Sequence, residues 1–286
     1  MATLLDPALL PSEEDIEFYR AHGFYITKAI FTDTELDKAI EASDRFYAGL
    51  DKQELQLPDG KTVKQSWWKG NGPDVLRKND FSIHSVPELR TLAQKPILGA
   101  IAALLAGDDV RLWHDQLLYK PPHDPDKPQN VGWHTDYGYW RTCTSNEMLT
   151  AWVPFTAMPA ELGPIGFIDG SHQWPPNNHL DFFSSDLDAL EKQFVTGGAE
   201  VNKTVAIMER GQVSFHDCRT IHGSGPNLTD GPRRSIALHM QPASNRYQQA
   251  YRDDGTLARH ENDYLTQDEA GRPNYADPIY CPLLGR

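Results

Sequence analysis

The chain has 286 residues, of which 39% are hydrophobic and 10% aromatic, so it can bury a sizeable core. Its net charge of −13 argues against a nucleic-acid partner, which requires a basic surface, and weakly against a polyanionic substrate such as an acyl-CoA. Three scattered cysteines and a first segment without a secretory signal favour a reducing compartment. We expect a cytoplasmic protein with no membrane partner, because the longest apolar stretch, residues 97–106, is too short to span a bilayer.

The first part of the chain shows helical patterns. Ser12 is followed by Asp15 and Thr32 by Glu35, and both pairs are typical of helix N-termini. Apolar residues at helical spacing follow each pair. The predicted helices span residues 12–22, 32–50, 87–94 and 96–106.

From residue 110 onward the sequence changes to short apolar runs separated by Gly, Pro and Asn. About eight such runs at this spacing indicate a sandwich or barrel. We therefore predict a mainly β protein with helical cover, in which a double-stranded β-helix (a cupin-like jelly roll) is packed by N-terminal α-helices. We expect one domain over residues 1–286, with a mainly helical part at 1–109, the jelly-roll core at 110–241 and a C-terminal extension at 242–286. The candidate strands are 110–119, 131–134, 149–155, 165–169, 204–208, 213–216, 220–222 and 235–241.

Two segments, residues 50–80 and 175–202, are long and irregular. Loops of this length in a compact domain are usually functional or disordered. We expect one of them to form a lid over the open end of the core.

The run VGWHTDYG contains His134 and Asp136, two positions apart on a predicted strand. Residues with this spacing point to the same face of a strand. An imidazole and a carboxylate side by side supply two ligands of the 2-His-1-carboxylate triad that suits non-haem Fe(II) oxygenases. A second His-x-Asp, at His179 and Asp181, follows the loop-forming run WPPNN, and we interpret it as a surface feature.

The third ligand must come from elsewhere in the chain. His222 lies in the run FHDCRTIHGSGPN, and Arg233 follows it by eleven positions. A His-x-Asp, a distant His and an Arg in this order indicate an iron site beside a clamp for a dicarboxylate, because a guanidinium binds a carboxylate in bidentate fashion. Arg234 competes with Arg233, and strand alternation allows only one of the two into the core.

Several motifs together resemble the phytanoyl-CoA dioxygenase family of Fe(II)/2-oxoglutarate oxygenases, in the branch that includes ectoine hydroxylase. EEDIEFYRAHGF and FTDTEL resemble its N-terminal helix, strand and second helix. WHDQLLYKPP, LTAWVPF and GPIGFIDGSH resemble strands around the iron motif, although Asp169 stands where the family usually has Pro. His222 and Arg233 match the distal-His block, and the family's spacing selects Arg233 over Arg234.

This resemblance implies Fe(II), 2-oxoglutarate and O₂ as the reactants at the site, with succinate and CO₂ released as a substrate C–H bond is oxidised. His134, Asp136 and His222 would bind the iron and Arg233 the 2-oxoglutarate. Ser224 and Thr150 match hydrogen-bonding positions for the co-substrate, and Tyr119 matches a contact that is Asn in relatives. Halogenase relatives lack the carboxylate ligand, so its presence here implies hydroxylation or desaturation.

Aromatic residues flank the metal motif and predict a small-molecule substrate pocket, although core packing explains some of them equally well. We interpret the remaining histidines near the core as structural. The candidate substrate contacts are Trp133, Tyr137, Tyr139 and Trp140, with Arg141 beside them and Trp67 and Trp68 in the first long loop; the structural histidines are His114, His172, His216 and His239.

Two other functions use the same residues. The triad could hold Zn²⁺ with a bound water and act as a metal-dependent hydrolase, which leaves Arg233 unexplained. A non-catalytic jelly-roll binding protein is the other alternative, and the presence of all three ligands argues against it. The sequence does not identify the primary substrate or the oligomeric state.

Overall fold

In a computed structural model, the described residues are 5–51, 54–57, 60–64, 75–127, 129–252, 254–265 and 267–285. Two antiparallel sheets form the core, and helices cover one of them. The sheets make a jelly roll without closing into a barrel, so the predicted fold class is confirmed.

The major sheet has six strands in the order β1-β10-β7-β12-β5-β4. All of its neighbouring strands run antiparallel. Its longest pairing joins β12 to β5 and has a register shift between His239 and Met240. The strands are β1 (Phe24–Ile26), β4 (Arg77–Asp80), β5 (Val110–Lys120), β7 (Leu149–Pro154), β10 (Ser214–Asp217) and β12 (Arg233–Pro242).

The minor sheet has four strands in the order β6-β11-β8-β9. A separate hairpin joins β2 and β3. The minor-sheet strands are β6 (Val131–His134), β8 (Gly166–Ile168), β9 (Lys203–Val205) and β11 (His222–Ser224); the hairpin strands are β2 (Glu54–Gln56) and β3 (Thr62–Lys64).

The N-terminal helices pack on the outer face of the major sheet. Ser12 and Thr32 cap the first two through capping boxes with Asp15 and Glu35, as the sequence predicts. Apolar side chains of α2 and α5 bury against alternate residues of the sheet, which forms the largest core. The helices are α1 (Glu13–His22), α2 (Asp33–Tyr47), α3 (Ser82–Ser85), α4 (Pro87–Ala93), α5 (Pro96–Ala106), α6 (Leu187–Glu191) and α7 (Asn262–Leu265).

Strand alternation divides β12 between two environments. Ile236 and Leu238 belong to the core beneath the helices. Ala237 packs with Phe167 of the minor sheet, and His239 lines the space between the sheets. The candidate site lies in that space, between the inner faces of the two sheets.

The predicted helices are present, and most core strands differ from the prediction only at their ends. The larger shifts are in β9, predicted at 204–208, and in β11, predicted at 220–222, which shares only His222 with the prediction. The clearest difference is β4, which lies in a segment predicted to be an irregular loop. Its sequence, RKND, is polar and becomes a strand by pairing with β5. No single helix in the described ranges is long and apolar enough to cross a membrane, although α4 and α5 together pass on length and composition with a bend of 40°.

Candidate metal centre

Three potential ligands converge between the two sheets. His134 ends β6, His222 begins β11, and the two residues are register partners across the minor sheet. Asp136 lies two residues beyond the end of β6 and begins a short 3₁₀ helix, Asp136–Gly138. One ligand atom from each of the three lies within 4.8 Å of the others. Asp136 Oδ1 lies 3.8 Å from Nε2 of His134 and 3.7 Å from Nε2 of His222.

Backbone carbonyls fix the orientation of both imidazoles. Nδ1 of His134 lies 2.8 Å from the carbonyl oxygen of Gly132, and Nδ1 of His222 lies 3.0 Å from that of Thr220. Each Nδ1 must therefore carry a proton and donate it. This leaves the lone pair on each Nε2 directed toward Asp136, which is the arrangement found for metal-binding histidines.

The protonation states suit metal binding. Burial lowers the pKa of His134, and burial with the neighbouring rings of His134 and His216 lowers the pKa of His222 well below its usual value. Both rings are therefore neutral at neutral pH, as a ligand must be. Burial opposes ionisation of Asp136, but the surrounding imidazoles, His222 first, hold its pKa well below the usual range.

The second carboxylate oxygen of Asp136 has its own partners. Thr150 Oγ1 donates to Asp136 Oδ2 at 2.7 Å and also lies 2.7 Å from His239 Nδ1. His216 Nε2 lies 3.4 Å from the same oxygen. The interpretation of His216 and His239 as purely structural is therefore incomplete, because both surround the carboxylate. Thr150 is the register partner of both histidines, a relationship that only the strand order reveals.

Arg233 and Arg234 lie on opposite faces of β12. Arg233 is 2% exposed and lines the inner cavity. Its guanidinium donates one hydrogen bond to the carbonyl of Gly163 and lies over the Trp152 ring, 5.3 Å from the ring centroid. The buried Nε has no hydrogen-bond partner within the described ranges. Arg234 points outward and pairs with Asp44 at 2.6 Å. Burial alone lowers the pKa of Arg233 to about 10, so among the described residues this buried cation has no compensating anion.

Lys120 is a second buried basic side chain beside Arg233, and the sequence analysis missed it. Its ammonium donates to Ser224 Oγ and to the carbonyl of Gly225, each at 2.6 Å. Burial, with the charge of Arg233, lowers the pKa of Lys120 well below its usual value. Because Ser224 Oγ accepts from Lys120, the hydroxyl proton of Ser224 is free to point into the cavity.

The predicted co-substrate contact of Tyr119 is wrong. Lys120 and Leu118 face the site, so alternation turns Tyr119 toward the helices. Its ring packs 5.2 Å from that of Tyr47, and the Arg77 guanidinium lies 5.3 Å from it.

Two cavities adjoin the cluster and share part of their lining. The inner one, about 50 Å³, contains Ser224, Arg233 and Trp152 in its lining. The outer one, about 580 Å³, has Tyr139 and Trp140 in its wall. His134, Asp136 and His239 line both cavities.

Trp133 and Tyr137, the other two predicted substrate contacts, do not line the outer cavity. Trp133 packs in a core cluster with Leu180 and Ile221, because its neighbour His134 takes the cavity-facing position. Tyr137 packs against the cluster around Trp113 and does not line the outer cavity. Trp67 and Trp68 lie outside the described residues.

Three segments bound the outer cavity. The long segment 175–202 contributes Phe182 and Phe183, and Lys78 of β4 comes from the other predicted lid. The C-terminal extension contributes residues from Arg252 to Glu261, a wall that the sequence analysis did not predict. The second His-x-Asp, at His179 and Asp181, does not line either cavity. His179 is exposed and contacts the carbonyl of Gln193.

The jelly-roll fold and the buried His–Asp–His cluster define the class of Fe(II)- and 2-oxoglutarate-dependent oxygenases. The chain belongs to the phytanoyl-CoA dioxygenase (PhyH) family, whose model matches residues 19–235.

Curated relatives and solved structures agree with this membership. The chain is 23% identical to peroxisomal phytanoyl-CoA dioxygenase of Bos taurus, over 82% of this chain and 70% of the relative. It is 24% identical to ectoine dioxygenase of Bordetella bronchiseptica, over 82% and 76% respectively. The fold is similar to that of the α-ketoglutarate-dependent epimerase SnoN from nogalamycin biosynthesis, with a TM-score of 0.66, 22% identity, and coverage of 95% and 97%. It is also similar to EctD from S. alaskensis with 2-oxoglutarate and 5-hydroxyectoine, with a TM-score of 0.64, 20% identity, and coverage of 92% and 89%.

Proposed function

We propose that this protein hydroxylates a C–H bond of a small-molecule metabolite, with His134, Asp136 and His222 holding Fe(II) and Arg233 binding 2-oxoglutarate. The observation that carries the proposal is the pairing, in one cavity, of a buried three-ligand cluster with a buried arginine that has no carboxylate partner among the described residues. A zinc hydrolase requires the ligands alone and gives no role to Arg233.

The donor set fits Fe(II). Two neutral imidazoles and one carboxylate form the triad of non-haem iron oxygenases, and their free atoms face one another. Thr150 holds Asp136 by its second oxygen, so one carboxylate oxygen remains for the metal. Such supporting hydrogen bonds orient a ligand before the metal binds.

The inner cavity fits a carboxylate. The orphaned Nε–H of Arg233 requires an acceptor, and a carboxylate also neutralises its buried charge. Ser224 supplies a second donor, oriented by Lys120. The cavity of about 50 Å³ has room for roughly four water-sized groups, enough for the carboxylate end of a short dicarboxylate.

With the co-substrate bound, iron and O₂ supply the oxidising chemistry, in which 2-oxoglutarate becomes succinate and CO₂ as the substrate is hydroxylated. The residues of the chain bind and orient the reactants. Arg233 binds the co-substrate in the inner cavity, which leaves the outer cavity, also lined by His134 and Asp136, for the substrate. Phe182, whose ring lies 4.8 Å from that of His134, helps to keep water from the ligands.

An anaerobic titration with Fe(II) and 2-oxoglutarate tests the proposal. We expect a weak visible metal-to-ligand charge-transfer band and, once O₂ is admitted, release of succinate. Both should disappear in His134→Ala, Asp136→Ala and His222→Ala. The matched control is His179→Ala, at the exposed His-x-Asp, which should behave like the wild type. Turnover that persists with Zn²⁺ and without 2-oxoglutarate would contradict the proposal.

A further inference from the structure

The wall of the outer cavity carries more positive than negative charge. This is unexpected in a chain with a net charge of −13. Local charge governs binding at a site, because charges beyond about 8–10 Å are largely screened at physiological salt. Apart from Asp136, the charged lining consists of the cations Lys78, Arg141, Arg252 and Arg259 and the acids Asp254 and Glu261.

Both acids make close contacts with their own neighbours in the C-terminal segment. Oδ1 of Asp254 accepts hydrogen bonds from the backbone N–H and the hydroxyl of Thr256, at 2.9 and 2.6 Å. Glu261 Oε2 lies 3.6 Å from His260 Nε2. Within the described part of the chain, neither Arg252 nor Arg259 forms an ion pair with an acidic side chain. Asp254 and Asp263 lie near enough to interact with Arg252 and Arg259 electrostatically, but without direct contact. Both guanidinium groups therefore keep hydrogen-bond donors for a bound anion.

Backbone hydrogen bonds hold the part of the chain that carries the two arginines. Arg252 donates its backbone N–H to the carbonyl of Thr256, and Ala258 donates to that of Ala250, each at 2.8 Å. His260 then stacks on Trp113, with ring centroids 4.1 Å apart. This packing holds the segment against the core. The family model ends at residue 235, so this wall comes from a part of the chain outside the matched region.

The remainder of the wall is aromatic. Trp140 lines the outer cavity and packs edge-on against His239, with ring centroids 4.8 Å apart. Phe182 and Phe183 lie on the segment opposite. The hydroxyl of Tyr139 accepts the backbone N–H of Phe182 at 3.1 Å, which ties that segment to the metal motif. Aromatic faces near the ligands suit an apolar body.

We propose that the outer cavity binds a substrate with an anionic group on an aromatic or otherwise apolar body. Arg252 and Arg259 bind the anionic group, and Trp140 and Phe182 contact the body beside the metal ligands. A volume of about 580 Å³ suits a small metabolite of this kind. The inference rests on the proposed function only in treating this cavity as the substrate site.

A pair of dyes with the same ring system tests the proposal. 8-Anilinonaphthalene-1-sulfonate carries a sulfonate, and N-phenyl-1-naphthylamine does not. Each is titrated by fluorescence against the anaerobic complex with Fe(II) and 2-oxoglutarate. In the double variant Arg252→Gln/Arg259→Gln, we expect the sulfonate dye to bind about tenfold more weakly, as for the loss of a charge-assisted hydrogen bond. The neutral dye should bind as before.

The matched control is Arg246→Gln/Arg272→Gln, which removes the same charge from the same segment. Arg246 donates to the carbonyls of Ala243 and Asn245, and Arg272 pairs with Asp268 at 2.8 Å; neither lines the cavity. The control should bind both dyes like the wild type.

Three results would overturn the inference: no binding of the sulfonate dye by the wild type, equal weakening of both dyes in the first double variant, or equal weakening of the sulfonate dye in the control. The charge-transfer band should remain in both double variants, which shows that they fold and bind iron. If the wild type shows no charge-transfer band, the proposed function is wrong, and the comparison of the two dyes still tests the anion site.

Discussion

At the scale of single residues, the site depends on which side chain of a neighbouring pair faces inward. Arg233 is buried beside the cluster, and Arg234 lies outside against Asp44. The same alternation places Lys120 inside and Tyr119 outside. One position along a strand therefore separates a candidate co-substrate ligand from a surface residue.

We predict that Arg233→Ala weakens 2-oxoglutarate binding about 10- to 100-fold, since a hydrogen bond to a charged group contributes about 1.5–3 kcal/mol. Fe(II) binding should change little. Arg233→Lys should restore only part of the affinity, because an ammonium cannot form the bidentate contact. Titration of the charge-transfer band measures this. Arg234→Ala is the control, and a larger loss there than in Arg233→Ala would mean that the assignment of the clamp is wrong.

A second residue prediction concerns Thr150, which joins Asp136 to His239 through one hydroxyl. The hydroxyl donates its proton to the ionised carboxylate, so it must accept from Nδ1–H of His239. Thr150→Val should weaken Fe(II) binding about 10-fold or more, the usual effect of losing a ligand's supporting hydrogen bond. Thr150→Ser keeps the hydroxyl and should recover most of the affinity. Equal iron affinities in the valine and serine variants would count against this role.

At the scale of elements, a buried ion pair connects β4 to β5 and the C-terminal segment. Asp80 Oδ1 lies 2.8 Å from His114 Nε2, and His114 Nδ1 lies 3.1 Å from Asn262 Oδ1. Burial opposes both charges. The contact with Asp80 nevertheless raises the pKa of His114, and Lys78 and His114 lower the pKa of Asp80. The polar strand β4 is held to the sheet edge by this pair as well as by its backbone pairing.

The pair should make stability depend on pH in a defined direction. Because the pKa of His114 is raised in the folded state, its charged form adds to the free energy of unfolding. This contribution is complete below pH 6.5, the ordinary pKa, and is lost as pH rises through the raised pKa. The lowered pKa of Asp80 also adds to the free energy of unfolding, a contribution that is complete above pH 3.8 and is lost as pH falls through the lowered pKa. Asp80→Asn should therefore cost roughly 3 kcal/mol near pH 6 and less at pH 9, measured by denaturant unfolding.

The control for this measurement is Asp268→Asn, which removes the exposed partner of Arg272. Exposed ion pairs contribute little, so this variant should unfold like the wild type at both pH values. A cost of Asp80→Asn that stays constant from pH 6 to pH 9 would show that the charged form of His114 does not stabilise the fold.

At the scale of the whole molecule, the fold encloses polar groups that face one another in a buried space. His134, Asp136 and His222 are each less than 10% exposed, and Arg233 and Lys120 are buried beside them. Such groups oppose folding unless partners compensate them. The protein should therefore be considerably more stable once the metal and the carboxylate ligand occupy the site.

Anaerobic Fe(II) with 2-oxoglutarate should raise the Tm. A ligand at about 100 times its Kd contributes about 2.7 kcal/mol, which corresponds to a rise of roughly 4–5 °C for a chain of this size. A chelator should reverse the rise, and His222→Ala should abolish it, whereas His179→Ala should keep it. The measurement is a thermal melt with and without ligands. An equal rise in His222→Ala would place the binding elsewhere.

Local signals in the sequence were sufficient to locate several elements and to bring together the residues of the cluster. Capping pairs and helical spacing located the N-terminal helices, and the strand from Val131 to His134 was predicted with its observed ends. The order of His134, Asp136, His222 and Arg233 was enough to propose one site, because these residue types combine in few kinds of chemistry.

The tertiary structure alone decided which residues share a face across strands. Thr150 meets His216 and His239 because β7 lies between β10 and β12, and nothing local to any of these residues indicates it. Likewise, the polar β4 is a strand only because β5 pairs with it, and the C-terminal segment reaches the cavity only because His260 packs on Trp113. Propensity and periodicity act over a few residues, whereas register and packing join residues that are far apart in the chain.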